Sequence, residues 1–172
     1  LAKASADSLL AVINDILDYS QLQTGSLVVQ SEAFDLRELV THAFDLFLPK
    51  VRSMSLDYRI DLDPALPQWV HSDRHRIMQV LVNLLGNALK FTHQGSVVLR
   101  VQWQNPGVLV SVQDTGIGIP AEQQAHIFRR FAQADSEIQA RYGGNGLGLA
   151  ISQRLVELLG GEIGFESAAG QG

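Results

Sequence analysis

Residues 73–91 place two demands on the fold at once. Ile77, Val80, Leu81, Leu84, Leu85 and Ala88 recur at helical spacing, so a helix here has one face that must be buried. Asp73 stands where a carboxylate caps a helix by accepting from a free backbone N–H. Asn83, Asn87 and Lys90 stand at i, i+4 and i+7, on a different face. That polar face has two readings. One is a solvated flank, the usual fate of polar residues opposite a core stripe. The other is a ligand face. An amide oxygen is a hard, neutral ligand that magnesium accepts beside phosphate oxygens and water, and an ammonium offsets phosphate charge. Asn is a poor interior helix former, so two of them one turn apart need a reason.

The elements around this helix follow from periodicity. Residues 2–23 predict a helix with a stripe of Leu9, Ile13 and Ile16, widened by Leu10, Val12 and Leu17 and ended by Gly25. The stripe fits equally a helical bundle or docking on the chain's own domain. Residues 27–32 predict a strand, and a helix follows from Asp35 to about Ser53, with Pro49 placed to kink or end it. Leu56, Tyr58, Ile60 and Leu62 alternate as in a half-buried strand, and Trp69-Val70 form a brief one. Val97, Leu99 and Val101 pair with Val108, Val110 and Val112 as a hairpin around Asn105-Pro106-Gly107. A short helix runs from Pro120 to about Arg129, a last helix from Leu147 to Leu159, and a final strand from Glu162 to Ser167. Helices and mostly antiparallel strands in this order predict an α/β two-layer sandwich.

The totals narrow the function. A chain of 172 residues with 46% hydrophobic content supports one main domain with an appended element. The net charge of −5 and the lack of a basic stripe argue against nucleic acid, so any phosphate site is built locally. The absence of cysteine excludes disulfides and thiolate metal sites and fits a reducing compartment. No apolar run approaches the roughly 20 residues of a membrane span, and no signal peptide is visible. Both ends read as cuts through a longer protein, since the chain opens mid-helix and closes on Gly170-Gln171-Gly172.

Two loops carry further chemistry. Asp114-Thr115-Gly116-Ile117-Gly118-Ile119 follows a strand end. It is either a plain turn or a site where a carboxylate accepts from a planar exocyclic amine while Gly116 and Gly118 let backbone approach a flat ring. The relaxed dinucleotide fingerprint in the same residues is discounted, because the strand before it belongs to a hairpin and not to a βαβ unit. Gly143-Gly144-Asn145-Gly146-Leu147-Gly148-Leu149 opens the last helix, and exposed N–H groups at such a start bind phosphates. Arg141 lies just upstream, within reach of a terminal phosphate, and residues 132–143 are polar and small and read as a mobile segment. No Gly-Lys-Ser/Thr follows, so this is not a Walker loop.

The four segments occur in a recognisable order. Asn83 to Thr92 resembles the N box of the ATP-binding catalytic domain of sensor histidine kinases, a superfamily shared with gyrase, mismatch-repair and heat-shock chaperone ATPases. Asp114 to Ile119 resembles its first glycine box, Ile127 to Phe131 its F box and residues 143–149 its second glycine box. The resemblance covers roughly residues 68–172 and implies the Bergerat-type two-layer fold with an N-terminal bundle helix. It divides the chain into residues 1–25, the second helix of a dimerisation and phosphoacceptor domain, and residues 26–172, the catalytic domain without its last strand.

The resemblance also implies ligands and roles. Asn87, with Asn83 beside it, would hold Mg2+. Lys90 and Phe91 would line the phosphate side of ATP, and Asp114, Gly116, Ile117, Gly118 and Ile119 would frame the adenine. Residues 132–143 would form a lid, and Arg141, Tyr142, Gly143, Gly144, Gly146, Leu147, Gly148 and Leu149 would surround the phosphates. Partners would be a second sensor kinase chain, as a homodimer or heterodimer through the first helix, and a response-regulator receiver domain. Neither nucleic acid nor membrane contact is expected of this segment, which would be the cytoplasmic part of an anchored sensor. The γ-phosphate would go to a histidine outside this chain. His42, His71, His75, His93 and His126 lack the family's acceptor neighbours, so the segment alone is not expected to phosphorylate itself. Asn145 stands where the family usually has threonine. With the acceptor helix missing, this leaves a second reading: a kinase-like regulatory module that controls another kinase by heterodimerisation.

Overall fold

The computed structural model describes residues 13–14, 16–128 and 146–172. Its first helix, α1, covers residues 16–24. Then come β1 (Glu32–Asp35), α2 (Leu36–Asp45), α3 (Leu48–Val51), β2 (Leu56–Leu62), β3 (Trp69–Ser72) and α4 (Arg74–Phe91). The chain continues through β4 (Gly95–Gln104), β5 (Gly107–Asp114), α5 (Ala121–Gln124) and α6 (Gly148–Leu158).

The main sheet has the order β2-β4-β5, parallel between β2 and β4 and antiparallel between β4 and β5, from Val97 opposite Asp114 to Gln104 opposite Gly107. β1 and β3 form a separate antiparallel pair. Val97, Leu99 and Val101 of β4 are fully buried, while Val98 and Arg100 between them are only half-buried. One face of the sheet therefore carries the helices and the other meets water, which gives the two layers expected. Leu81 and Leu85 of α4 meet Leu39, Val40 and Phe44 of α2 and Leu99 of β4 in the main core. A second core joins Val80 of α4 to Leu147, Ile151 and Leu155 at α6, and Tyr19 and Leu22 of α1 pack against it.

α4 forms where its stripe demands. Asp73 caps it, accepting from the Arg76 N–H at 3.0 Å. The same carboxylate accepts from the Gln30 N–H at 2.9 Å. This explains one departure from expectation: residues 27–31 are not a strand. Leu27 turns into the second core and the Gln30 N–H is satisfied by Asp73, so ladder pairing starts only at Glu32. The helix expected from Asp35 to Ser53 ends at Asp45. Pro49 has no N–H to give and its ring excludes the carbonyl four residues back, which is that of Asp45. α3 restarts with Pro49 in its first turn. Glu162 to Ser167 makes no ladder with any described segment. Its alternation is a property of side chains, whereas a strand needs a backbone partner. The helix expected from Pro120 to Arg129 stops at Gln124, whose side chain turns back to the carbonyls of Ile119 and Ser167. Arg129 lies outside the described residues.

α1 is fastened to α4 by charge as well as by Tyr19 and Leu22. Arg76 Nη1 donates to Asp18 Oδ1 at 3.0 Å, and Gln79 Nε2 donates to Asp18 Oδ2 at 2.8 Å. Ile13, Ile16 and Leu17 of the expected stripe are exposed, and Leu9, Leu10 and Val12 lie outside the described residues.

Candidate functional site

Two stretches distant in sequence converge on α4, and a third packs on the first of them. The first is the loop after β5. Asp114 Oδ1 accepts from the Gly116 N–H at 2.8 Å and from the Thr92 hydroxyl at 3.3 Å. Thr92 is the C-cap of α4 and is fully buried. The Ile117 N–H donates to the Phe91 carbonyl at 3.3 Å, so the loop lies against the end of α4. With Oδ1 spent on protein groups, Oδ2 accepts no hydrogen bond among the described residues.

The second stretch is the start of α6. Asn83 Nδ2 donates to Ser152 Oγ at 2.8 Å, across from α4 to α6. Ser152 is buried. Asn87 Nδ2 reaches Asn83 Oδ1 at 3.5 Å, the outer limit of a hydrogen bond. Asn83 is thus occupied on both sides of its amide, while the Asn87 carbonyl oxygen accepts no hydrogen bond among the described residues. Gly148 sits directly on Asn83, and a Cβ at 148 would overlap the Asn83 amide. Only glycine lets the helix start come this close. Leu147 is a core residue, 3% exposed, so its part in holding any ligand falls to its backbone. Gly146 has φ +66°, and Leu149 is half-buried.

Lys90 lies next along α4, with its Nζ 4.8 Å from the Phe91 ring centroid. Burial, and then the nearby Lys50, hold its pKa below the ordinary lysine value. A partly desolvated ammonium beside a second cation gains more from an arriving anion than a fully hydrated one does. Among the described residues no group of three or more His, Cys, Asp or Glu is placed to hold a metal. A cation here would therefore be one that takes most of its oxygens from a ligand and water.

The third stretch is the chain end, residues 167–172, which packs on Ile117 to Ile119. Periodicity and spacing pointed to neither Ser152 nor Ser167, because each acts through a partner tens of residues away. By sequence Thr92 stands out only as the end of the N box, although a hydroxyl just past the end of such a helix is a usable signal. Arg141, Tyr142, Gly143 and Gly144, with the proposed lid and Asn145, lie outside the described residues. All five histidines are exposed.

This arrangement has known counterparts. Residues 72–172 match the model of the histidine kinase-, DNA gyrase B- and HSP90-like ATPase family, and the chain belongs to that family. Within it, the domain is the ATP-binding catalytic domain of the two-component sensor kinase type. It is 44% identical over 170 residues to the circadian input-output histidine kinase CikA of Synechococcus elongatus, covering 98% of this chain and 22% of that protein. It is 40% identical over 173 residues to the signal transduction histidine-protein kinase BarA of Escherichia coli, covering 98% of this chain and 19% of that one. The chain thus spans about a fifth of the length of these relatives. Full-length ShkA in complex with AMPPNP superposes with a TM-score of 0.85 at 33% identity, over 98% of this chain and 35% of ShkA. Histidine kinase ThkA in complex with the response regulator TrrA gives 0.70 at 30% identity, over 92% of this chain and 43% of that one.

Proposed function

We propose that this chain binds ATP with Mg2+ between α4, the 114–119 loop and the start of α6, and offers the γ-phosphate to a histidine carried outside residues 1–172. The observation that carries this reading is the state of Asp114: one carboxylate oxygen is held by Thr92 and Gly116, and the other accepts no hydrogen bond among the described residues, which suits it to a base amine. Gly116, Ile117, Gly118 and Ile119 frame the base. Asn87 is the protein ligand of Mg2+, and Asn83, fastened to Ser152, holds it in place. Magnesium, when bound, neutralises charge on the transferred phosphoryl group. Lys90 adds a second positive charge on that side with Phe91 beneath it, and the N–H groups at Gly146 to Leu149 meet phosphate oxygens at the helix start. Arg141, Tyr142, Gly143 and Gly144 complete the phosphate side. The donor set fits the group, since magnesium is commonly bound by one or two protein oxygens plus substrate phosphates.

Residues 1–25 form part of a dimerisation helix, and residues 26–172 form the catalytic domain. The exposed Ile13, Ile16 and Leu17 supply an apolar face for a second sensor kinase chain. A receiver domain takes the phosphoryl group onward, and the domain works in the ATP-holding cytoplasm. Among the described residues no helix is long and apolar enough to cross a membrane, and an anchor would be supplied by another part of the protein. The test is calorimetric titration of this chain with ADP in magnesium, followed by transfer of labelled γ-phosphate in a protein carrying the upstream histidine helix. Saturable magnesium-dependent binding followed by acid-labile labelling is expected. Absence of binding overturns the site, and binding without labelling overturns the kinase.

A further inference from the structure

We propose that Ser167 and Gln124 are positioning residues that hold the base-side loop in its binding shape; this rests on the reading of that loop as the adenine site. The loop carries two glycines, the residue type with the most backbone freedom to lose. Every peptide plane from 116–117 to 119–120 is nevertheless held. The Ile117 N–H donates to the Phe91 carbonyl, and the Ile117 carbonyl accepts from the Gly170 N–H at 2.7 Å. The Ile119 N–H donates to Ser167 Oγ at 2.8 Å, and the Ile119 carbonyl accepts from Gln124 Nε2 at 2.9 Å. Two of these four bonds are therefore made by side chains.

Each side chain also makes a second bond, to the chain-end segment. The Ser167 hydroxyl donates onward to the Gly172 carbonyl at 2.8 Å, so one hydroxyl is acceptor and donor at once. Gln124 Nε2 donates to the Ser167 carbonyl at 2.9 Å as well as to Ile119. The rings of Phe128 and Phe165 meet edge to face at 5.8 Å and join the same two segments. Gly118 lies inside this clasp at φ +64°, where a Cβ would overlap the Ala168 carbonyl. Fixing the loop before the ligand arrives removes an ordering cost that binding would otherwise meet. Neither residue touches the proposed ligand; both act through Ile119.

The test titrates ADP into this chain and into Ser167→Ala, Ser167→Thr and Gln124→Met, each also in an Asp114→Asn background. The loss of one such bond predicts a Kd raised by about three- to tenfold for Ser167→Ala and for Gln124→Met. Ser167→Thr, which keeps the hydroxyl, stays near the parent value. In the Asp114→Asn background the Ser167→Ala effect shrinks toward nothing, because the base contact it serves is already lost. Amide exchange at Ile119 speeds up in Ser167→Ala at unchanged melting temperature. Parent-like Kd in both Ser167→Ala and Gln124→Met overturns the clasp alone, and so does an effect that is equally large in the Asp114→Asn background. A parent chain that does not bind ADP overturns the nucleotide reading and this proposal with it.

Discussion

Replacing Asp114 with asparagine separates recognition from structure at one atom. In the folded chain Oδ1 takes the Gly116 N–H and the Thr92 hydroxyl. The amide oxygen of the Asp114→Asn variant can keep both bonds. Its NH2 then stands where Oδ2 stood and presents a donor to a donor. The loss is that of a hydrogen bond to a charged group, about 1.5–3 kcal/mol, which raises the Kd for ADP by about 12- to 140-fold. Stability stays close to that of the parent, within about 0.5 kcal/mol or about 2 °C in Tm for a domain of this size. Asp114→Ala behaves differently. It strands the hydroxyl of Thr92, which is fully buried, and that costs about 1–3 kcal/mol and several degrees. The assays are calorimetric titration with ADP and magnesium and a thermal melt of all three proteins. Unchanged affinity in Asp114→Asn refutes the base contact. A melting temperature for Asp114→Asn as low as that of Asp114→Ala refutes the division of labour between the two oxygens.

Other substitutions probe other parts of the same scaffold. Asn87→Ala should abolish most of the magnesium dependence of ADP affinity while leaving binding in excess chelator near the parent value; a magnesium effect of parent size would rule Asn87 out as the ligand. Asp73→Ala removes acceptors from the Arg76 and Gln30 N–H groups and should cost about 2–4 kcal/mol in urea unfolding at pH 7. Burial alone would push the Asp73 carboxyl up, but those two N–H groups and the Arg76 guanidinium outweigh it and hold its pKa below 3.8. The stabilisation is therefore present above about pH 4 and is lost as pH falls through the folded-state value, so the gap between parent and variant should narrow on acidification. A gap that stays constant from pH 7 to pH 3 would contradict this. Leu155→Ala opens a hole at a fully buried position shared by α4, α6 and the α1 contact, with an expected loss of about 2–5 kcal/mol in denaturant unfolding.

The parts of the fold that were legible are those whose signal lies within a few residues. α4 was readable because its apolar stripe, its Asp73 cap and its polar face all sit within 19 consecutive residues. The β4–β5 hairpin was readable because Val97, Leu99 and Val101 alternate on one side of a turn and the partners alternate on the other. Pro49 marked a break whose chemistry is local. Residues 27–31 and 162–167 failed for the opposite reason: a strand needs a backbone partner, and neither stretch has a ladder partner among the described residues. The Gln30 N–H goes to Asp73, forty-three residues away, and no pattern in residues 27–32 announces that.

The candidate site divides along the same line. Residues that would meet a ligand must present a particular chemistry, and chemistry is visible as residue type at fixed spacing: amides one turn apart, a carboxylate at a strand end, glycines at a helix start. Residues that hold those groups in place need only one hydrogen bond in the right direction, and a serine or glutamine anywhere in the chain can supply it. Ser152 serves Asn83 from 69 residues away, and Ser167 serves Ile119 from 48. A reading by motif therefore finds the atoms that touch a ligand and misses the atoms that aim them. Binding strength depends on both, because a donor set that must first be ordered gives up part of its interaction energy to that ordering. Substitutions at the supporting positions should thus alter affinity in chains whose motifs are intact, so an intact N box and glycine boxes do not by themselves establish a working site.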